Sequence, residues 1–169
     1  MATAPIACSA GSTCSSGTVT VGSQGDGGGL VGFNNGIITN AFAIANVTGA
    51  AGLAIPLSNA SSDVTRLGGL AADNMGTISN SFASGVVGSP TTSNLMVGGL
   101  VALNYGLISG SFANVAVSAG DNSLVGGLAG RNVLATSSSC YTCYTGYNEN
   151  LTETTRPPAL LDPPTTTLP

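Results

Sequence analysis

The sequence contains no histidine, no lysine and no tryptophan, and its charged residues are three arginines and seven carboxylates. Histidine is the usual general base and the commonest metal ligand, and lysine is the residue that forms imines with carbonyl substrates. Their absence removes the most frequent catalytic chemistries. The formal net charge is −4 and the arginines form no basic patch, so we expect no binding of nucleic acid.

Long apolar runs are also missing. The apolar residues occur in short groups, and none approaches the ~20 consecutive residues of a membrane-spanning helix, so we expect no membrane span. The carboxylates are scattered rather than paired along one face, which gives no candidate acid/base pair or metal site. These absences predict a protein that is not an enzyme and that carries no cofactor and no metal.

What the sequence does contain is an internal repeat. The tripeptide Gly-Gly-Leu begins at positions 28, 68, 98 and 126, and at fixed distances after it the same residue types recur. The aligned columns are Asn34, Asn74, Asn104 and Asn132; Ile38, Ile78 and Ile108; Phe42, Phe82 and Phe112; and Val47, Val87 and Val117. The repeats therefore span 28–67, 68–97, 98–125 and 126–150, the last being degenerate.

Repeats of 28–40 residues, rich in Val, Ile and Phe and without a helical period, predict an all-β solenoid of about four to five coils. In such a fold the Leu, Ile, Phe and Val columns point inward and stack at the ~4.8 Å strand spacing. Each recurrent Asn forms a turn and bonds the Asn above and below it. The varying column is expected to face solvent; it consists of Phe33, Asp73, Leu103 and Arg131.

The segments Gly28–Ala43 and Gly68–Ala83, GGLVGFNNGIITNAFA and GGLAADNMGTISNSFA, resemble the GLUG repeat of large bacterial surface and secreted proteins, some of them adhesin-like. The resemblance covers residues 28–135. It implies a surface-exposed β-solenoid module without catalytic residues of its own. The second and third copies depart from the motif, since Ala72 and Ala102 replace a glycine.

The four cysteines lie near the two ends of the repeats. Residues 1–27 read as a partial coil or N-terminal cap, because Cys14 falls in the Phe column when the repeat is extended backwards; Cys140 does so forwards. These two lie about four coil steps, or ~19 Å, apart, whereas a disulfide needs Cα atoms within ~7 Å. Local pairs, Cys8 with Cys14 and Cys140 with Cys143, are therefore predicted. A redox motif or half of a zinc site at Cys140–Cys143, and free buried thiols, are the alternatives.

The C-terminal region follows a different pattern. Residues 151–169 are rich in Pro and Thr and predict an extended tail, either a linker to a neighbouring domain or a strap along the solenoid. The tyrosines Tyr141, Tyr144 and Tyr147 form an interaction surface for carbohydrate or another subunit, or else cover the last coil from water.

Together these patterns predict a non-enzymatic, extracellular or cell-surface structural or adhesive module, such as a stalk, spacer or fibre component. Structural disulfides agree with that location. One alternative is a self-assembling filament subunit, joined by its tail or by end-to-end stacking of coils. Another is a carbohydrate-binding module. The expected partners are other copies of the chain, neighbouring domains of a larger surface protein, or glycans.

Overall fold

The computed structural model describes residues 13–53 and 64–133, and these ranges fold into strands and turns without a helix. The all-β prediction is confirmed at this level. Nothing in the described ranges has the helical length and apolar character that crossing a membrane requires.

Fifteen strands follow one another along the described chain. They are β1 (Thr13–Val21), β2 (Asp26–Gly28), β3 (Val31–Asn34), β4 (Ile37–Thr39), β5 (Ala41–Gly49), β6 (Thr65–Gly68), β7 (Ala71–Asn74), β8 (Thr77–Ser79), β9 (Phe82–Gly88), β10 (Leu95–Gly98), β11 (Val101–Asn104), β12 (Leu107–Ser109), β13 (Phe112–Ser118), β14 (Leu124–Gly126) and β15 (Ala129–Asn132).

The strands form four parallel sheets, because each strand pairs with the strand four places along the chain. Sheet A has the order β1-β5-β9-β13, sheet B β2-β6-β10-β14, sheet C β3-β7-β11-β15 and sheet D β4-β8-β12. We call each set of four successive strands, β2–β5, β6–β9 and β10–β13, a rung. β1 precedes the first rung, and β14 and β15 follow the third. Parallel stacking of this kind is compatible with a β-solenoid.

The interior is filled by short apolar side chains that repeat from rung to rung. One cluster contains Leu70, Leu100, Ile78 and Ile108, and a second contains the valines and leucines between sheets A and B. The double glycine lies where the backbones of two rungs approach closely. A Cβ on Gly99 would collide with the backbone carbonyl of Gly127 in the next rung, so a side chain is excluded there.

The Phe column does not point inward as the repeat pattern led us to expect. Successive residues of a strand face opposite sides of the sheet, and the alanines that follow the phenylalanines, Ala43 and Ala83, are fully buried in the core. The phenylalanines stack on the opposite side of sheet A from these alanines, and their exposure rises along the stack, from 8% at Phe42 through the half-buried Phe82 to 58% at Phe112.

The expectation that the varying column faces solvent is also wrong for two of its members. Phe33 is exposed, but Asp73 and Leu103 are buried. The reason is the sharp bend at Gly-Gly-Leu, which folds sheet B against sheet C. The sides of these two sheets that face away from the main core therefore cover each other, and Met96 and Leu103 share a separate apolar cluster there.

Candidate functional site

A ladder of asparagine side chains runs through the corner between sheets C and D. Nδ2 of Asn34 donates to Oδ1 of Asn74, Asn74 donates to Asn104, and Asn104 donates to Asn132, each at 2.7 Å. The second hydrogen of Nδ2 of Asn104 bonds the carbonyl of Gly106 at 3.0 Å. The buried amides thus satisfy one another, which a core position requires. All donations run in the same direction, from each rung to the next.

A stack of aromatic rings lies at the start of sheet A. The ring centroids of Phe42 and Phe82 are 5.0 Å apart, those of Phe82 and Phe112 are 5.1 Å apart, and the planes are within 6° of parallel. Because the ring faces contact each other, the sides of the stack consist mainly of ring edges. Phe112 is the last ring of the stack.

Sheets B and C enclose a row of side chains that we call the B–C cleft. It is lined on sheet B by the column Asp26, Arg66, Met96 and Leu124, and on sheet C by the column Phe33, Asp73, Leu103 and Arg131. The two columns meet at Arg66, whose Nε lies 3.2 Å from Oδ1 of Asp73. Towards the C-terminal end the lining is apolar, with Met96, Leu103 and Leu124 in one cluster.

The charged part of the cleft is unevenly bonded. Arg66 holds Asp26 through two hydrogen bonds, Nε to Oδ1 at 2.6 Å and Nη2 to Oδ2 at 2.8 Å. Since the single Nε hydrogen is directed to Asp26, the contact with Asp73 is an ion pair without a hydrogen bond. Oδ1 of Asp73 is buried and has no hydrogen-bond donor among the described residues.

This environment shifts the ionisation of Asp73. Burial raises the pKa of its carboxyl, Arg66 lowers it and Asp26 raises it, and the resulting pKa is about 6. For Arg66, burial lowers the pKa, but the hydrogen bond to Asp26 and the charge of Asp73 act in the opposite direction and leave it raised. The group of three therefore carries a net charge of about −1 near pH 7.

The outer surfaces of sheets A and D carry no charge within the described ranges. The five charged side chains described are Asp26, Arg66, Asp73 and Arg131, on sheets B and C, and Asp121, in the turn before β14. Exposed apolar side chains lie on the uncharged strands, Ile37 and Leu107 on sheet D and Val86 and Phe112 on sheet A. Such a surface suits an uncharged partner better than an ionic one.

The predicted residues divide between described and undescribed parts of the chain. The structure stacks the asparagines of the Asn column on one another and the phenylalanines of the Phe column on one another. It also places Cys14 opposite Phe42 in sheet A. Cys14 takes part in a disulfide; which cysteine is its partner stays a prediction. The remaining candidates lie outside the described residues: Cys8, Cys140, Cys143, Tyr141, Tyr144, Tyr147 and the tail 151–169. In the part of the chain that is described, no three His, Cys, Asp or Glu side chains cluster in a way that could hold a metal ion.

Sequence reasoning missed the B–C cleft, although a signal for it exists. In each layer of the stack the two lining positions are seven residues apart, and in the second and third rungs they match in chemistry: Arg66 with Asp73, and Met96 with Leu103. Complementary pairs at a constant spacing indicate facing positions.

Comparison with known proteins adds no relative from which a role could be transferred. No protein-family model matches the chain, and no curated protein is significantly similar to it. The resemblance to the GLUG repeat therefore stays a prediction based on the motif.

Proposed function

We propose that the chain is a non-enzymatic structural or adhesive module of an extracellular or cell-surface protein. In this proposal it is a β-solenoid of about four to five coils of the GLUG type. Residues 1–27 cap it, 126–150 close it, and the tail 151–169 leads to a neighbouring domain. Local disulfides, Cys8 with Cys14 and Cys140 with Cys143, hold the two ends.

The observation that carries the proposal is the identity of the stacked columns. Asn lies on Asn, Ile on Ile and Phe on Phe through three rungs. A ligand site needs different side chains converging on one point, whereas in these three columns the same side chain repeats along a line. Repetition of this kind produces a regular, rigid body in which each rung is held by its neighbours.

Two further features support the location and the adhesive role. The disulfide of Cys14 agrees with an oxidising compartment. The uncharged outer surfaces of sheets A and D, with exposed Ile37, Leu107 and Phe112, offer a contact surface for another protein or a neutral polymer. For a glycan, Phe112 is the exposed ring of the described stack, whereas Phe42 is buried and Phe82 lies between two rings.

Single-molecule force spectroscopy of the full chain tests the mechanical role. Pulling on the two termini should release the chain in discrete steps, one for each rung, because rungs bond only to their neighbours. A rung of about 30 residues adds ~10 nm of extended chain. Local disulfides close short loops, so adding a reductant should leave the main steps unchanged. Smooth extension without resisting steps would remove the mechanical role.

A filament subunit is the second candidate function, and the ends of the stack favour it. Leu70 in the second rung and Leu100 in the third are fully buried, whereas Leu30 in the first rung is partly exposed. Towards the C-terminal end Leu128 is buried, but Ala113 and Val115, in the last described strand of sheet A, are partly exposed. End layers of this kind are completed when another rung covers them. Electron microscopy of the purified chain distinguishes ordered filaments from single modules.

A further inference from the structure

Within the described ranges, the two ends of the stack carry different charges. At the N-terminal end, Asp26, Arg66 and Asp73 leave a net negative charge in the B–C cleft. At the C-terminal end, the same cleft ends in Arg131 on β15, which the register places in the column of Asp73 and Phe33. One end of the cleft is thus acidic and the other is basic.

The hydrogen-bonding groups of the ends are complementary in the same sense. Inside the stack, Leu30 N–H donates to the carbonyl of Leu70, Leu70 to Leu100, and Leu100 to Leu128, at 2.8 to 2.9 Å. Within the described residues, Leu128 N–H at one end has no acceptor and the carbonyl of Leu30 at the other end has no donor. The C-terminal end of the described stack thus offers an unpaired donor and its N-terminal end offers an unpaired acceptor.

The asparagine ladder has the same polarity. Nδ2 of Asn132 has no acceptor among the described residues. At the other end, Oδ1 of Asn34 accepts one bond, from the N–H of Gly36 at 3.1 Å, and a carbonyl oxygen has room for a second. A bond from Asn132 to Asn34 of another copy would repeat the 2.7 Å bond that joins Asn104 to Asn132.

We infer that a second copy of this chain docks head to tail, with β14 and β15 of one copy pairing in parallel with β2 and β3 of the next. Arg131 then stacks on Phe33 of the next copy, its partner in the extended register, and approaches the carboxylate of Asp26. Asn132 donates to Asn34, and Leu128 donates to Leu30. The inference rests on the filament function and specifies its junction.

Sedimentation velocity of the full chain over a range of concentrations tests the junction. Association should grow with concentration and weaken when salt is raised from about 50 mM to about 1 M, because an ion pair contributes. Asn132→Asp keeps the oxygen that accepts from Asn104 but loses the donor, so association should weaken about fivefold. Asn114→Asp makes the same chemical change on the exposed side of sheet A, and should associate as the wild type does.

A charge exchange provides the sharper test. Arg131→Glu brings a carboxylate towards Asp26, and Phe33→Arg brings a second cation towards Arg131, so each single variant should associate about tenfold more weakly. In the double variant the new carboxylate at position 131 lies beside the new guanidinium at position 33 of the next copy, and association should return. These positions lie three rungs apart within one chain, so an effect on folding alone would not be rescued.

Three outcomes distinguish the proposed junction from the filament function and from the single structural module. Rescue of association by the double variant supports the junction. Assembly that none of these substitutions changes overturns the junction and leaves the filament. A chain that remains monomeric at all concentrations removes both and leaves the single structural module. The midpoint temperature of thermal unfolding of each variant should match that of the wild type. If a charge-exchange variant unfolds at a lower temperature, Asn132→Asp is used in its place.

Discussion

Replacing Asp73 by asparagine should remove a specific pH dependence of stability. The native environment raises the pKa of this carboxyl from its ordinary value of 3.8 to about 6, and its side chain is only 8% exposed, so little solvent screening applies. Between pH 4 and pH 6 the native state therefore holds a proton that the unfolded chain has released. Stability must fall as the pH rises through this window, by about 3 kcal/mol for a displacement of this size.

The assay is urea unfolding of the wild type and of Asp73→Asn at several pH values between 4 and 7. Asparagine has nearly the same shape and no charge, so the free energy of unfolding of the variant should lack the decrease of about 3 kcal/mol and exceed that of the wild type at pH 7. Asp121→Asn, an exposed position in the turn before β14, should keep the profile of the wild type. If the free energy of unfolding depended on pH in the same way in the wild type and in Asp73→Asn, the raised pKa of Asp73 would be refuted.

Three further substitutions test the stacking itself by chemical denaturation. Ile78→Ala opens a cavity in the core and should cost about 2 to 5 kcal/mol, whereas Ile37→Ala, at a side chain that is 78% exposed, should change stability by less than about 0.5 kcal/mol; equal effects would contradict the inward direction of Ile78. Gly99→Ala forces a Cβ into the backbone of the next rung and should cost about 3 kcal/mol, while at Gly36 the nearest atom to a new Cβ is 4.0 Å away and alanine should be tolerated. Asn74→Ala leaves buried amide groups in two neighbouring rungs without partners and should cost about 2 to 4 kcal/mol; a neutral result would mean that water replaces the ladder.

The columns of the stack can be predicted from the sequence because the residues that recur at fixed spacing, Gly-Gly and Asn, each suit one specific structural environment. Gly-Gly is needed where two backbones approach, and Asn is needed where a buried turn must bond its neighbours. In the structure Asn34, Asn74 and Asn104 lie in register despite repeats of unequal length. The extra residues fall between Gly49, where β5 ends, and Thr65, where β6 begins, and β5 and β9 keep their register.

The burial of individual side chains is harder to predict. A repeated pattern in the sequence shows which residues stack on one another, but not which face of each strand is covered by another sheet. The frequent burial of aromatic residues favours an inward Phe column, but alanine occupies the inner position and phenylalanine the opposite side, where Phe42 is buried and Phe112 is exposed. The burial of Asp73 depends on the folding of sheet B onto sheet C. That contact is set by the angle of the bend at Gly-Gly-Leu, which the residue types do not reveal.

The matching columns also mean that the protein can be shortened by a whole repeat. Asn74 and Asn104 are 30 residues apart, and each strand of the middle rung lies between two strands of the same register. Deletion of residues 68–97 would bring Asn34 next to Asn104, Ile38 next to Ile108 and Phe42 next to Phe112, so these three columns would keep their register. In the B–C cleft the deletion removes Asp73 and Met96, so Arg66 would face Leu103. The length of this molecule is therefore a property that duplication or loss of a 30-residue unit can change in steps, with adjustment needed only where the side chains of the B–C cleft differ between rungs.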